Sequence, residues 1–470
     1  MSEELFIGIV TSAGSMDTSW NGVFKFSQTD GYRGKLLSTK FEIKGGKDLF
    51  DLPEELDQDY LHCLIDGHEF ATIIWPRFPG GQSIKGFKAR LVDTQIRNLI
   101  RRVHVKADEK DVKRIALQSP LFCKLFEIRP FIETTQTSPY KISIENAPNT
   151  PLSFKTDKGL ISIGVSASYT PSGNSLSPKL ESTGELKLSF ETNVSPTEAL
   201  SLSYRIERLI SLLTFDLIRM DRMSFAILAN DPSGSTSEEI CPVETASRIE
   251  AAKSNIDLHQ LPLRLQHIDF GEVLNNFLNL FDPIEQTLNW YRTVTAEERY
   301  LEDKFFYCIR MIEGLYRGLN IPASPDREAL ELVNTISEKL ASDASNERLT
   351  SFIEERIVPI FRKSWSLSGI IRDLKSEYSE IPTVHFLDER LINRLRGKQA
   401  HGSSQRHSTS ELQFMAYAYR LISMIYCIIV LERCGLSREF LLSGLKECSR
   451  FEQYFQSKTL AAFRQECGIS

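Results

Sequence analysis

The chain has 470 residues, 41% hydrophobic and 25% charged, which is enough apolar material for two or three cores, since single cores rarely grow beyond roughly 250 to 300 residues. Its formal net charge of −6 excludes a general nucleic-acid footprint, so contact with a polyanion has to come from a local basic cluster. Eight Cys without a C-x-x-C pair suggest neither a zinc site nor a redox motif, so reduced, mostly buried thiols are expected, with no metal and no cofactor.

Met1-Ser2-Glu3-Glu4-Leu5-Phe6 lacks the charged-then-apolar layout of a signal peptide, and a cytoplasmic protein is expected. From residue 1 to about 190 the hydrophobic pattern has period two, with frequent turn signals, which predicts antiparallel sheet. The strands fall at 23–26, 35–43, 60–65, 69–75, 87–92, 121–128, 140–144, 159–169 and 186–191. Asp66-Gly67 marks a tight hairpin, because Gly accepts the positive φ of such a turn, while Pro79-Gly80-Gly81 reads as a plain loop. Ile96, Leu99, Ile100 and Val103 fit one face of a helix, with Arg97, Arg101 and His104 on a solvated outer side.

Ser195-Pro196-Thr197-Glu198 carries a capping box and a proline at the first helical position, so a helix over 195–213 packs Leu202, Ile206, Leu209, Ile210 and Leu213 on the sheet. One further strand, 223–228, precedes Asn230-Asp231-Pro232-Ser233-Gly234, a turn or linker run and a candidate subdomain edge. Beyond residue 265 the period is helical, with helices at 270–291, 296–319, 324–340, 347–361, 369–378, 388–396 and 410–431. The run 421–431 is bounded by Arg420 and Glu432 and is far shorter than the roughly 20 residues of a membrane span. It is apolar almost all round, so it is central to a bundle or buries one face on a partner. The fold class is α+β: a β-rich antiparallel module over 1–240, a linker with connecting helices over 241–292, and an all-α bundle over 293–470.

The chemistry is placed at Arg394-Leu395-Arg396-Gly397-Lys398-Gln399-Ala400-His401-Gly402. His is the side chain whose unperturbed pKa lies near neutrality, and Arg binds phosphate through a planar fork of donors; together they are the minimum for cleaving RNA without a metal. Arg390, Lys398 and Arg406 add local positive charge that would draw RNA. Gly397 is poor in a helix interior, so the helix is expected to loosen there and let Arg396 turn toward His401. Arg97 and His104 form a decoy of similar spacing, without a loop or glycine to open the backbone beside the imidazole.

Arg396-x4-His401-Gly402 ahead of a long apolar helix resembles the Arg-x(4 to 6)-His signature of HEPN domains, specifically the ApeA-like branch of bacterial anti-phage abortive-infection proteins. Ile312-Glu313-Gly314-Leu315-Tyr316 is similar to the first core helix of that domain. Trp20-Asn21-Gly22-Val23-Phe24 and the hairpin 61–76 resemble the β-rich module that accompanies it. The resemblance implies a metal-independent endoribonuclease active as a homodimer, in which His401 moves the proton and Arg396, with Arg394 in support, stabilises the phosphoryl charge. Products would be a 2′,3′-cyclic phosphate and a 5′-hydroxyl, with transfer RNA as one substrate, and the β-rich half would answer a phage-derived trigger. Glu313 orients His401 or an Arg, or forms a structural ion pair. The family usually has a polar residue after the motif Arg, whereas Gly397 follows Arg396 and Leu395 follows Arg394, which leaves open which Arg is catalytic. The alternative reading is a catalytically inactive dimerisation and RNA-binding module with a β-rich ligand-recognition domain.

Overall fold

In the computed structural model the chain divides into two compact units. A sheet unit takes Met1–Ile210, Ile218–Ile256 and Arg264–Asn275, and a helical unit takes Ser211–Leu217, Asp257–Leu263 and Asn276–Ser470. The structure describes residues 5–12, 19–27, 31–38, 60–65, 69–74, 77–83, 90–96, 98–102, 109–128, 131–138, 141–146, 151–170, 179–230, 236–245, 256–296, 299–321, 327–341, 347–357, 366–400 and 407–467. The architecture is α+β, an antiparallel N-terminal sheet followed by an all-helical region.

The period-two alternation becomes strand pairing. Fourteen strands form one sheet in the order Leu152–Thr156, Gly159–Thr170, Lys179–Val194, Val112–Ser119, Arg222–Asn230, Thr236–Thr245, Asn98–Arg101, Glu69–Ile74, Tyr60–Ile65, Leu5–Ser12, Ser19–Ser27, Gly31–Ser38, Arg90–Ile96 and Arg77–Ser83. Tyr60–Ile65 and Glu69–Ile74 pair antiparallel, with Ile65 opposite Glu69, while Asp66 and Gly67 lie outside the described residues. Val10, Phe24, Leu36, Leu61, Cys63, Ile65, Ala71, Ile73 and Leu99 close one core of this unit. The expected ends 39–43 and 87–89 lie outside the described residues.

Four sequence expectations change here. The stretch 121–128 is a short helix, α1 (Pro120–Leu125), because Ser119 caps it by accepting from the Leu121 N–H at 3.3 Å and Pro120 takes its first turn. The stretch 96–105 is not a helix. Asn98–Arg101 is a strand paired on both sides, with Leu99 and Ile100 buried, and an interior strand needs apolar residues on both faces, which mimics helical spacing. Arg101 there pairs with Glu244 at 2.9 Å, while Arg97 and His104 lie outside the described residues. Pro79-Gly80-Gly81 sits in the strand Arg77–Ser83, with a register shift between Arg77 and Gly80. The run after Asn230 is no subdomain edge: Thr236–Thr245 pairs back on Arg222–Asn230, with Asn230 opposite Thr236.

Helix α2 (Pro196–Leu213) forms as its capping box predicts. Glu198 accepts from the Ser195 N–H at 3.0 Å, Ser195 Oγ accepts from the Glu198 N–H at 3.2 Å, and the stripe from Leu202 to Leu213 is buried.

The helical unit contains α3 (Phe270–Thr295) from Asn276 onward, α4 (Leu301–Gly318), α5 (Arg327–Ala341), α6 (Glu347–Phe352), α7 (Leu367–Glu377), α8 (Glu389–Ala400), α9 (Thr409–Arg433), α10 (Arg438–Glu447) and α11 (Ser457–Cys467). The helix expected over 347–361 ends at Phe352 and widens to a π turn, Ile353–Ile357. The apolar helix is α9, which packs against α4, α10, α11 and the 3₁₀ turn Pro382–Phe386. It extends beyond 421–431 and is long and apolar enough to cross a membrane, but most of its apolar window is buried inside the unit, as in a core helix. All eight Cys are free thiols, seven buried and Cys123 half-buried. Arg450 clamps the Ser211–Leu217 segment into this unit, donating to Phe215 O at 2.9 Å and pairing with Asp216 at 3.2 Å.

Candidate functional site

Helix α8 is seated by its apolar side. Ile392 and Leu395 are buried, and Asp388 Oδ1 accepts from the Leu391 N–H at 2.7 Å to satisfy the first turn. Helix α7 and α4 are its neighbours. The expected loosening at Gly397 does not occur. The helix runs through to Ala400, and a Cβ at Gly397 would meet nothing within 4 Å, so no neighbour forces a break.

An unbroken helix decides where the cations go. Arg390, Arg394 and Lys398 follow at four-residue intervals along one face, and Arg396 leaves about 160° away from Arg394. Lys398 Nζ donates to Glu411 Oε1 on α9 at 2.9 Å, and Arg394 Nη2 stands 3.5 Å from the same oxygen. Arg396 Nη2 donates instead to Glu313 Oε2 on α4 at 3.1 Å. Arg390 is exposed. His401 and Arg406 lie outside the described residues.

Glu313 is held by close helix packing. At the next position, Gly314, a Cβ would meet Trp290 at 2.8 Å and Thr287 at 2.9 Å, so only glycine lets α3 approach this turn of α4. Glu313 is 8% exposed, and burial holds its carboxyl above the usual carboxylate range, against the opposing pull of Arg396, Arg317 and Arg310. Of these, Arg396 is the one that closes an ion pair, with its side chain 37% exposed.

Glu411 is an anionic hub that sequence reading missed. It completes a capping box at the start of α9, accepting from the Ser408 N–H at 3.1 Å while its own N–H donates to Ser408 Oγ at 3.2 Å. The Lys398 hydrogen bond first, then the Ser408 N–H and the nearby Arg394, hold its carboxyl below the ordinary range. His407, also missed, places its buried Nδ1 3.6 Å from Glu411 Oε2, with no hydrogen-bond partner among the described residues. The signal for the hub was Ser408-x-x-Glu411 before an apolar run, the pattern read correctly at Ser195.

The two carboxylates therefore make opposite contributions to stability as pH changes. A folded-state pKa below the ordinary 4.5 means that Glu411 contributes stability above that value and loses it as pH falls. A pKa raised above 4.5 means that Glu313 favours the fold when protonated and penalises it as pH rises. Urea midpoints across roughly pH 3 to 8 will show Glu411→Gln less stable than the parent above the carboxylate's ordinary 4.5, with the difference closing as pH falls below it. Glu313→Gln will gain on the parent over the same interval. Curves moving in the same direction for both variants would contradict this assignment.

Among the described residues no group of His, Cys, Asp and Glu could hold a metal ion. The family model described as ApeA N-terminal domain 1 matches residues 8–277, more than half of the chain. The chain belongs to the ApeA family. Membership associates this ApeA-family chain with anti-phage defence. The match covers the sheet and the start of α3 and ends before Glu313, so the cationic cluster lies beyond the part of the chain that it identifies. No curated protein and no solved structure matches the chain.

Proposed function

We propose that this ApeA-family chain is a metal-independent endoribonuclease of the HEPN class that cuts RNA, transfer RNA among the candidate substrates, during anti-phage defence. One observation carries the reading: Arg396 stands half-exposed on an unbroken helix, held by a buried carboxylate, five residues before His401. A guanidinium fixed on one side keeps donors for a phosphoryl oxygen on the other, which suits charge developing in a transition state. Glu313 is then a positioning residue for Arg396, and Arg394, Lys398, Arg390 and Arg406 attract the RNA backbone.

The reaction needs two proton transfers. One imidazole takes the proton of the ribose 2′-hydroxyl, the 2′-oxygen bonds to phosphorus, and the P–O5′ bond breaks as the leaving oxygen receives a proton. His401 supplies one of these groups and His401 of a second copy supplies the other, so a homodimer is the active form. The β-rich unit restrains the nuclease until a phage-derived trigger is sensed, and the protein acts in the cytoplasm.

The test is product-end analysis, in excess chelator, of RNA incubated with purified protein and fractionated phage lysate as the source of the trigger, with the His401→Ala protein as the control for lysate nucleases. Fragments ending in 2′,3′-cyclic phosphate and 5′-hydroxyl are expected. Intact RNA that stays bound would instead leave an RNA-binding module, intact RNA that is not bound would remove both readings, and activity lost with chelator would remove the metal-independent chemistry.

A further inference from the structure

We propose that the face of α4 around Glu313 is a track for single-stranded RNA, on which Arg310, Arg396 and Arg317 take successive phosphates and Arg310, backed by Phe306, receives an unpaired base. The inference rests on the ribonuclease reading and specifies the form of RNA that this site takes.

Charge is the first argument. Arg310, Arg317 and Arg396 all act on the single Glu313 carboxylate, so three positive charges face one negative charge in a chain whose net charge is −6. Arg394 and Lys398 are already opposed by Glu411. Arg310 and Arg317 are exposed, and among the described residues no ion pair closes on either. Geometry is the second. Positions 310, 313 and 317 follow the spacing of one helix face, so Arg310 and Arg317 lie about 10 Å apart along the axis, with Arg396 reaching Glu313 between them. That is a row of guanidinium forks, which matches a string of phosphates better than a single anion.

The third argument selects the strand. The Arg310 guanidinium lies over the Phe306 ring at 5.1 Å, and Tyr307 meets Phe306 edge-on at 5.9 Å, with both rings half-buried and Arg310 exposed. A guanidinium plane backed by an aromatic ring offers a stacking surface to a base. Duplex RNA keeps its base faces stacked on one another and cannot use it.

The experiment uses the full chain carrying His401→Ala, a fluorescent oligoadenylate, and an RNA duplex of the same length, with anisotropy read over a salt series. The oligoadenylate is expected to bind more tightly than the duplex. Adding Arg310→Ala and Arg317→Ala together should weaken oligoadenylate binding about tenfold and lower the salt slope by about 1.4, at about 0.7 per phosphate on a single strand. Arg310→Lys with Arg317→Lys should retain the slope, which guards against a folding artefact, and Phe306→Leu should weaken binding with the slope unchanged. Unchanged affinity and slope in the alanine pair, or tighter binding of the duplex, would overturn the track. If the parent chain cuts no RNA but the slope falls as stated, the nuclease reading fails and the track stands. If the parent cuts RNA and the slope does not move, the track fails alone.

Discussion

His401→Ala will lower RNA cleavage by about 10² to 10⁴, the range for removing one positioned acid or base, and will leave the urea midpoint of the protein where it was. The expectation follows from the division of labour proposed for the motif. Arg396 is tied to Glu313 at 3.1 Å and stays charged at any working pH, so it cannot move the proton. Of the residue types in 394–402, His is the one whose unperturbed pKa lies near neutrality, and His401 is its single instance there. Arg396→Ala should be as damaging to cleavage, with an added loss of stability because Glu313 is then buried without the ion pair that opposes its desolvation. Initial rates on a fluorescent RNA, with denaturant melts of each variant, separate the two effects. Cleavage by the His401→Ala protein at the parental rate would remove the imidazole from the mechanism, and His407, 3.6 Å from Glu411, would become the next imidazole to substitute.

Phe414→Ala should cost the helical unit about 3 to 5 kcal/mol, the usual range for emptying a buried aromatic position. Phe414 is fully buried on α9, one turn beyond Glu411. Its ring meets Phe386 at 5.0 Å and Phe305 of α4 at 6.5 Å, and Phe386 in turn meets Phe463 of α11 at 5.6 Å. The side chain thus ties together α4, which carries Glu313, and α9, which carries Glu411. Removing the ring forfeits its dispersion contacts with both neighbours. The readout is the urea-unfolding free energy followed by the fluorescence of Trp290, which stands beside Gly314 on α4. A loss below about 1 kcal/mol would mean that the site relaxes around the gap and that the aromatic cluster does not hold these helices in place.

The family relationship separates what is known of the two halves. The match over 8–277 accounts for the sheet unit, and the cationic cluster stands on helices beyond it. Removing Glu411 or Glu313 tests the cluster without touching the part of the chain that the family model recognises.

Local signals carried much of the fold. The capping box at Ser195, the pairing of Tyr60–Ile65 with Glu69–Ile74, the helical period after residue 265 and the central place of the apolar helix are all set by residues within a few positions of each other, so they were legible along the chain. Reading failed where two patterns share one spacing. An interior strand at Asn98–Arg101 is apolar on both faces and imitates a helix, and the helix α1 hid its cap inside an apolar run. Gly397 looked like a break because glycine weakens an isolated helix, but seating by Ile392 and Leu395 outweighs a propensity cost of about 1 kcal/mol.

The candidate site was legible as composition and not as geometry. Arginines and a histidine near residue 400 are visible in one dimension, and so is Glu313. That Arg396 and Glu313, 83 positions apart, share an ion pair while Arg394 and Lys398 turn to Glu411 depends on the packing of α8 between its neighbours. Helix phase sends alternate residues to opposite sides, but tertiary packing alone determines which carboxylate waits on each side. That is why the sequence by itself determined which groups are available, and the folded helices decided how they are paired.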